Sequence, residues 1–291
     1  MTMIFIIALI GFLFLSTLQK SKSSDVKKLK VTASFYPLAF LAQTIGGEQV
    51  TVTNLTPSGA EPHEFEPSTR DIVKLTGEDI ILLNGGGIEG YGEKIKANIN
   101  SQKTEVAIIG EPFMSNSQDP HIWLDPVLYK KEAEAVSRIF VRKDPSHTSF
   151  YEANLKRLVR DLELLHTEYT VGLRNCDRTT IITSHKAFEY LAKRYKLQEV
   201  ALSGLSPEQE PSAKTISDIT TFAKSQRINY IFFEELMSPR IAETIAHEIG
   251  AKTLVFNPLE GLTKEDTIRG RTYLSIQKEN LKNLQIALSC K

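Results

Sequence analysis

The chain carries no net charge, because 35 Lys and Arg balance 35 Asp and Glu over 291 residues. That balance creates no field to draw a polyanion, so nucleic acid is not an expected partner. Cysteine is scarce, with only Cys176 and Cys290. The two can form one bridge in an oxidising compartment or stand as unpaired thiols, and sequence alone does not bring their Cα atoms within the roughly 7 Å that a bridge requires. The uninterrupted apolar stretch at residues 4–15 (IFIIALIGFLFL) is short. As a helix it spans about 18 Å, against a hydrocarbon core of ~30 Å. It therefore reads as the apolar region of a signal peptide, or as an uncleaved N-terminal anchor, followed by a polar spacer to residue 28. No Lys or Arg precedes it and no Ala-x-Ala cleavage site follows it. Export is the expected fate.

What is present after the spacer is an alternation of short β-branched runs with helical patterns, the rhythm of βαβ units and parallel sheets. Strands are expected at 29–34, 50–55, 80–83 and 106–109, with helices near 35–45, 68–75 and 127–140. A second series follows, with strands at 179–183, 199–202, 230–233 and 253–256. Helices are expected at 187–195, 213–224 and 239–249, and a closing helix from about 264 toward 288. Between the two series, Phe150, Leu155, Leu158, Val159, Leu162, Leu165, Tyr169 and Leu173 recur at helical spacing. They predict one long helix with a solvated face at Lys156, Arg157, Arg160, Asp161 and Glu163. A Gly- and Ser-rich flexible linker is not what joins the halves. The expected organisation is an N-terminal α/β lobe (29–143), a linking helix (144–175) and a C-terminal α/β lobe (176–291), since a chain of this length exceeds what one core comfortably fills.

Four potential metal ligands stand in turn-forming segments: His63 in GAEPH, His121 in DPH, His185 in TSH and Glu260 in PLEG. Three imidazoles and one carboxylate make a four-coordinate zinc shell. Their separations of 58, 64 and 75 residues exclude a local zinc finger, so the fold must gather them. His185 and Glu260 each follow an expected strand, at the edge where open α/β sheets bind ligands. Four protein donors close the shell, which suits carriage of a metal; catalytic zinc keeps an open position for water. A rival reading as a zinc hydrolase would use three histidines with Glu260 or Glu234 as base.

The stretches PSGAEPHEFEPS (57–68), DPHIWLDP (119–126), TSHKAFEYL (183–191), GLSPEQEP (204–211) and NPLEGLT (257–263) resemble the metal-binding motifs of the zinc and manganese solute-binding proteins of ABC transporters. The likeness runs from about residue 29 to the C-terminus. It implies two lobes joined by a long rigid helix with the metal in the cleft, His63 and His121 from one lobe and His185 and Glu260 from the other. It also implies a monomeric extracytoplasmic receptor, in the periplasm or on the outer face of the cytoplasmic membrane, that hands metal to an ABC permease and is not an enzyme. Manganese-type relatives tend to place a carboxylate at the third position; the imidazole of His185 favours Zn(II) over Mn(II). Some relatives are linked to host-matrix binding, so a metal-stapled surface adhesin is the alternative.

Three departures from the family pattern stand out. Residues 64–120 hold no histidine, where many zinc members carry a His-rich acidic loop, and no N-terminal cysteine offers a site for lipid attachment. Asn257 stands where some relatives have aspartate, which leaves the fourth ligand to Glu260. Asp119 and Asp125 flank His121 and are expected to satisfy turn amides or hold its second ring nitrogen. Trp123 is read as packing, and His147, His166 and His247 as non-ligands. Glu234 and Glu235, just past a strand end, can point into the cleft, though carboxylates there are more often hydrated or capping, and Gly85-Gly86-Gly87 is read as a plain turn, since no P-loop Lys-Ser/Thr follows.

Overall fold

A computed structural model describes residues 28–115 and 119–291; of the expected signal peptide or anchor with its polar spacer (1–28), all but the last residue lies outside the described residues. The order is β1 (Leu29–Ala33), α1 (Tyr36–Gly46), β2 (Val50–Asn54), α2 (Thr69–Leu75), β3 (Ile80–Leu83), α3 (Gly92–Asn98), β4 (Glu105–Ile108), α4 (Pro126–Lys143) and α5 (Thr148–Gly172). The second half runs β5 (Thr180–Thr183), α6 (Glu189–Tyr195), β6 (Gln198–Ala201), α7 (Ala213–Ser225), β7 (Tyr230–Phe233), α8 (Arg240–Ile249), β8 (Lys252–Val255), α9 (Lys264–Ile268) and α10 (Tyr273–Leu288). Among the described residues no helix is long and apolar enough to cross a membrane.

The first four strands form one parallel sheet in the order β2-β1-β3-β4, with Val31 paired to both Val52 and Ile80. All of β3, Ile-Ile-Leu-Leu, is buried, as parallel strands covered on both faces must be. In the second half β5 pairs with β6 and β7 with β8, both in parallel. β5 lies beside β7, and the Ser184 hydroxyl donates to the Phe232 carbonyl there. The fold is thus α/β with parallel sheets, as the alternation of patterns predicts.

The 25-residue α5 lies between the two halves. It buries Tyr151, Leu158, Leu162, Leu165 and Tyr169 and exposes the charged face read from the sequence. It is more than a strut, because it packs on α1, α4 and α10 and belongs to a core that continues from the first-half sheet to the strands of the second half. That core carries several ties at the floor of the cleft. Trp123 is fully buried and its indole donates to the Pro258 carbonyl at 2.8 Å, while the Tyr273 hydroxyl donates to the Trp123 carbonyl at 2.6 Å. Tyr273 also stacks on Tyr129, and Phe188 on Phe256. Aromatic side chains buried in this way each contribute about 1.5–3 kcal/mol from burial alone.

Some sequence expectations need correction. The closing helix is two helices. Gly270, with φ 65°, ends the first, and Thr272 opens the second through a capping box with Ser275. The short α3 was not expected, since its seven residues carry one buried side chain, Ile95, and no periodicity. Cys176 and Cys290 form a disulfide, joining the chain just past α5 to the chain just past α10. Gly85, Gly86 and Gly87 do form a turn, each at positive φ, where a side chain would be strained.

Candidate metal centre

All four candidate ligands follow carboxyl ends of strands: His63 after β2, His121 after β4, His185 after β5 and Glu260 after β8. The three parallel sheets therefore point their ligand-bearing edges at one cleft. His63 sits in the loop that ends at the Ser68–Asp71 capping box of α2. His121 opens a short 3₁₀ turn leading to α4, whose first turn is capped by Asp125 and begins with Pro126. Glu260 follows Leu259, a buried non-glycine residue at φ 60°. That strained turn is clamped on both sides: Asn257 accepts from the Leu259 amide at 2.7 Å, and Asn280 on α10 bonds both the amide and the carbonyl of Asn257.

The donor atoms converge. His121 Nε2 lies 3.3 Å from His63 Nε2 and 3.4 Å from His185 Nε2, and the Glu260 Oε1 atom is 3.5, 3.1 and 3.2 Å from the Nε2 atoms of His63, His121 and His185. All four ligand atoms lie within 4.8 Å of one another. Donors held ~2.05 Å from a common centre at tetrahedral angles stand about 3.3 Å apart. Five of the six edges therefore match a tetrahedral zinc shell. The second carboxylate oxygen of Glu260 is buried and has no hydrogen-bond partner among the described residues.

Two of the rings are oriented by carboxylates. Asp119 accepts from both the backbone amide and Nδ1 of His121, at 2.9 and 2.6 Å, and Glu234 accepts from Nδ1 of His185 at 2.7 Å. Each bond places the ring proton on Nδ1 and turns the Nε2 lone pair to the centre. Asp119 thus takes the role expected for it. Asp125 takes the other one, accepting from the Val127 amide where α4 begins, and it pairs with Arg194. Glu234 points into the cleft, the less common of the two placements open to a strand-end carboxylate, and is buried at the site. No local pattern marks it. Its role follows from β7 lying next to β5, so that the residue after one strand meets the residue after the other. Glu235 is turned away, accepting from the side-chain Nδ2 of Asn257 and pairing with Arg271.

The electrostatics suit a cation. Burial opposes charge on Glu260, but His185 beside it and hydrogen bonds from His121, His185 and His63 hold its carboxyl well below the usual range. Burial also pulls His121 and His185 down, yet the facing carboxylates outweigh it. Asp119 and Glu260 raise His121; Glu234 and Glu260 raise His185 well above an ordinary imidazole. Glu61, two residues before His63 and unremarked in the sequence, is pushed up to about 9 by burial and the Glu260 charge. His147, His166 and His247 lie elsewhere: His147 pairs with Asp144, His166 bonds Tyr195, and His247 is in the last turn of α8.

Comparison with known proteins places the chain in a family. Residues 31–287 match the family model described as ZnuA, zinc-uptake complex component A periplasmic. The chain is 35% identical over 295 residues to the high-affinity zinc uptake system protein ZnuA of Bacillus subtilis, covering 95% of this chain and 92% of that protein. It is 33% identical to the zinc-binding lipoprotein AdcA of Streptococcus pneumoniae and spans 58% of that protein's length. The crystal structure of the Zn(II)-bound ZnuA-like domain of that AdcA superposes with a TM-score of 0.81 at 34% identity, covering 90% of this chain and 99% of the domain. The laminin-binding protein Lmb of Streptococcus agalactiae, described as bifunctional with adhesin and metal transporting activity, superposes at 0.82 with 32% identity, covering 89% of this chain and 99% of that chain. With the matched family model spanning nearly all of the described residues, the chain belongs to the ZnuA family of zinc-uptake components.

Proposed function

We propose that this protein is a zinc receptor that captures Zn(II) outside the cytoplasmic membrane through His63, His121, His185 and Glu260, and presents it to an ABC permease for uptake. The observation that carries the reading is the convergence of three Nε2 atoms and one carboxylate oxygen at separations of 3.1 to 3.5 Å. Three imidazoles favour zinc; manganese prefers harder oxygen donors and should bind more weakly. Four protein donors leave no coordination position for a nucleophilic water, so hydrolysis is not proposed. The lobes are taken as residues 29–143 and 176–291, with 144–175 between them, and the working unit as a monomer. The continuous core at the cleft floor favours small adjustments of the cleft rim over wide opening.

The test is elemental analysis of protein purified without added metal, paired with calorimetric titration. One zinc per chain and weaker manganese binding are expected; no zinc, or equal affinity for the two ions, would contradict the reading. The likeness to Lmb supports a second role in adhesion, to be read as retention of the protein on immobilised laminin.

A further inference from the structure

The four ligands are not equally held. The His63 side chain is 9% exposed, while those of His121 and His185 are fully buried and that of Glu260 is 1% exposed. Nδ1 of His121 is fixed by Asp119 and Nδ1 of His185 by Glu234, but Nδ1 of His63 bonds no group among the described residues. The Glu260 loop is clamped by Asn257 and Asn280, whereas the side-chain tie at the His63 backbone is one 3.2 Å bond from its amide to Glu61. Next to His63 opens a groove of about 750 Å³. Gly86, Glu111, Met114 and Pro120 line it from the first half and Ser206 and Gln209 from the second. A bare cation needs a small fraction of that volume, while sites for small organic molecules begin near 300 Å³.

We infer that His63 is the exchangeable corner of the shell, and that the groove admits a small nitrogen or oxygen donor of amino-acid size which takes the position of His63 on the metal during loading and release. The inference rests on the zinc-receptor reading above and goes beyond it. Exchange is then a swap of one donor for another: the incoming lone pair binds the metal as the His63 lone pair leaves, so the coordination number and the other three ligands are conserved. The groove supplies what such a donor needs. Hydroxyl, carboxylate and amide groups from Ser206, Glu111 and Gln209 can hold its polar substituents, and the open space beside Gly87 leaves room for its body. His121 and His185 offer no such approach, because each ring is enclosed and tied to a carboxylate.

The experiment is chemical rescue with imidazole, read by the visible spectrum of bound Co(II) and by Co(II) affinity. In His63→Ala, millimolar imidazole should restore the tetrahedral spectrum and tighten Co(II) binding by about tenfold or more. In His121→Ala and His185→Ala it should change affinity less than about twofold. Equal rescue of all three variants, or rescue of none, overturns the inference provided the unaltered protein binds one Co(II). Failure of the unaltered protein to bind metal would instead sink the receptor reading. If His63→Ala does not fold, the unaltered protein decides: transfer of zinc to a chromophoric chelator should accelerate in proportion to added imidazole, and a rate indifferent to imidazole refutes the exchange.

Discussion

Glu234 accepts the Nδ1 proton of His185 at 2.7 Å, with both side chains buried. The bond ties the ends of two neighbouring strands and fixes the tautomer that leaves Nε2 free for metal. Removal of such a partner typically costs 10- to 100-fold in metal affinity. Glu234→Gln should therefore weaken zinc binding by about one to two orders of magnitude without removing a ligand. Calorimetry at neutral pH checks this. An unchanged affinity would mean that Glu234 does not orient the ring.

Removing a ligand should cost more. If a zinc shell contributes roughly 10–16 kcal/mol over four donors, His121→Ala and His185→Ala should each lose about 2.5–4 kcal/mol, or roughly two to three orders of magnitude in affinity. His147→Ala is the control, because His147 pairs with Asp144 far from the centre in sequence and role. Competition against a fluorescent zinc chelator separates the three variants.

Proton linkage gives a prediction with opposite signs for the two forms of the protein. The folded-state pKa values of His121 and His185 are raised, so their contribution to stability is complete below the unfolded value of 6.5 and is lost as pH rises through the folded values. Glu61 acts in the same direction between 4.5 and about 9. Glu260 is lowered, and its contribution is lost only as pH falls below 4.5 through its folded value. The metal-free protein should therefore melt at higher temperature at pH 6 than at pH 8. Zinc needs both imidazoles neutral, so its binding releases protons and its added stabilisation should shrink from pH 8 to pH 6. Thermal unfolding with and without zinc at the two pH values tests both signs, and calorimetry in buffers of different ionisation heat counts the protons.

The Cys176–Cys290 disulfide closes a separation of 114 residues. The chain-entropy account assigns about 5 kcal/mol to a loop of that size, and measured losses for native bridges run about 2–5 kcal/mol. The double variant Cys176→Ser, Cys290→Ser should unfold at markedly lower denaturant concentration yet hold zinc with nearly unchanged affinity, since no ligand touches the bridge. Denaturant unfolding and zinc titration of the same sample check the pair of outcomes.

Much of this architecture is legible in the residues, for identifiable reasons. The buried run Ile80 to Leu83 and the helical spacing from Phe150 to Leu173 are local signals, and β3 and α5 follow them. His63, His121, His185 and Glu260 come together as expected, because turns after strand ends carry them to one edge. Glu234 and Glu61 are different. Their roles depend on which strand lies beside which and on the charge of Glu260 nearby, and a linear reading supplies neither. Asp125 resembles Asp119 in sequence, with a proline after each, but Asp119 precedes the 3₁₀ turn and reaches the ring whereas Asp125 follows it and caps a helix. The break at Gly270 lies between two capping boxes, at Thr263 and Thr272, each of which can be read as a helix start once the glycine is taken as a stop.

X-ray absorption at the zinc edge tests ligation by the four side chains most directly. The expected result is four nitrogen or oxygen scatterers at about 2.0 Å with the multiple-scattering pattern of three imidazoles, reduced to two in His185→Ala. A six-coordinate shell, or fewer than three imidazoles in the unaltered protein, would contradict a site made of His63, His121, His185 and Glu260.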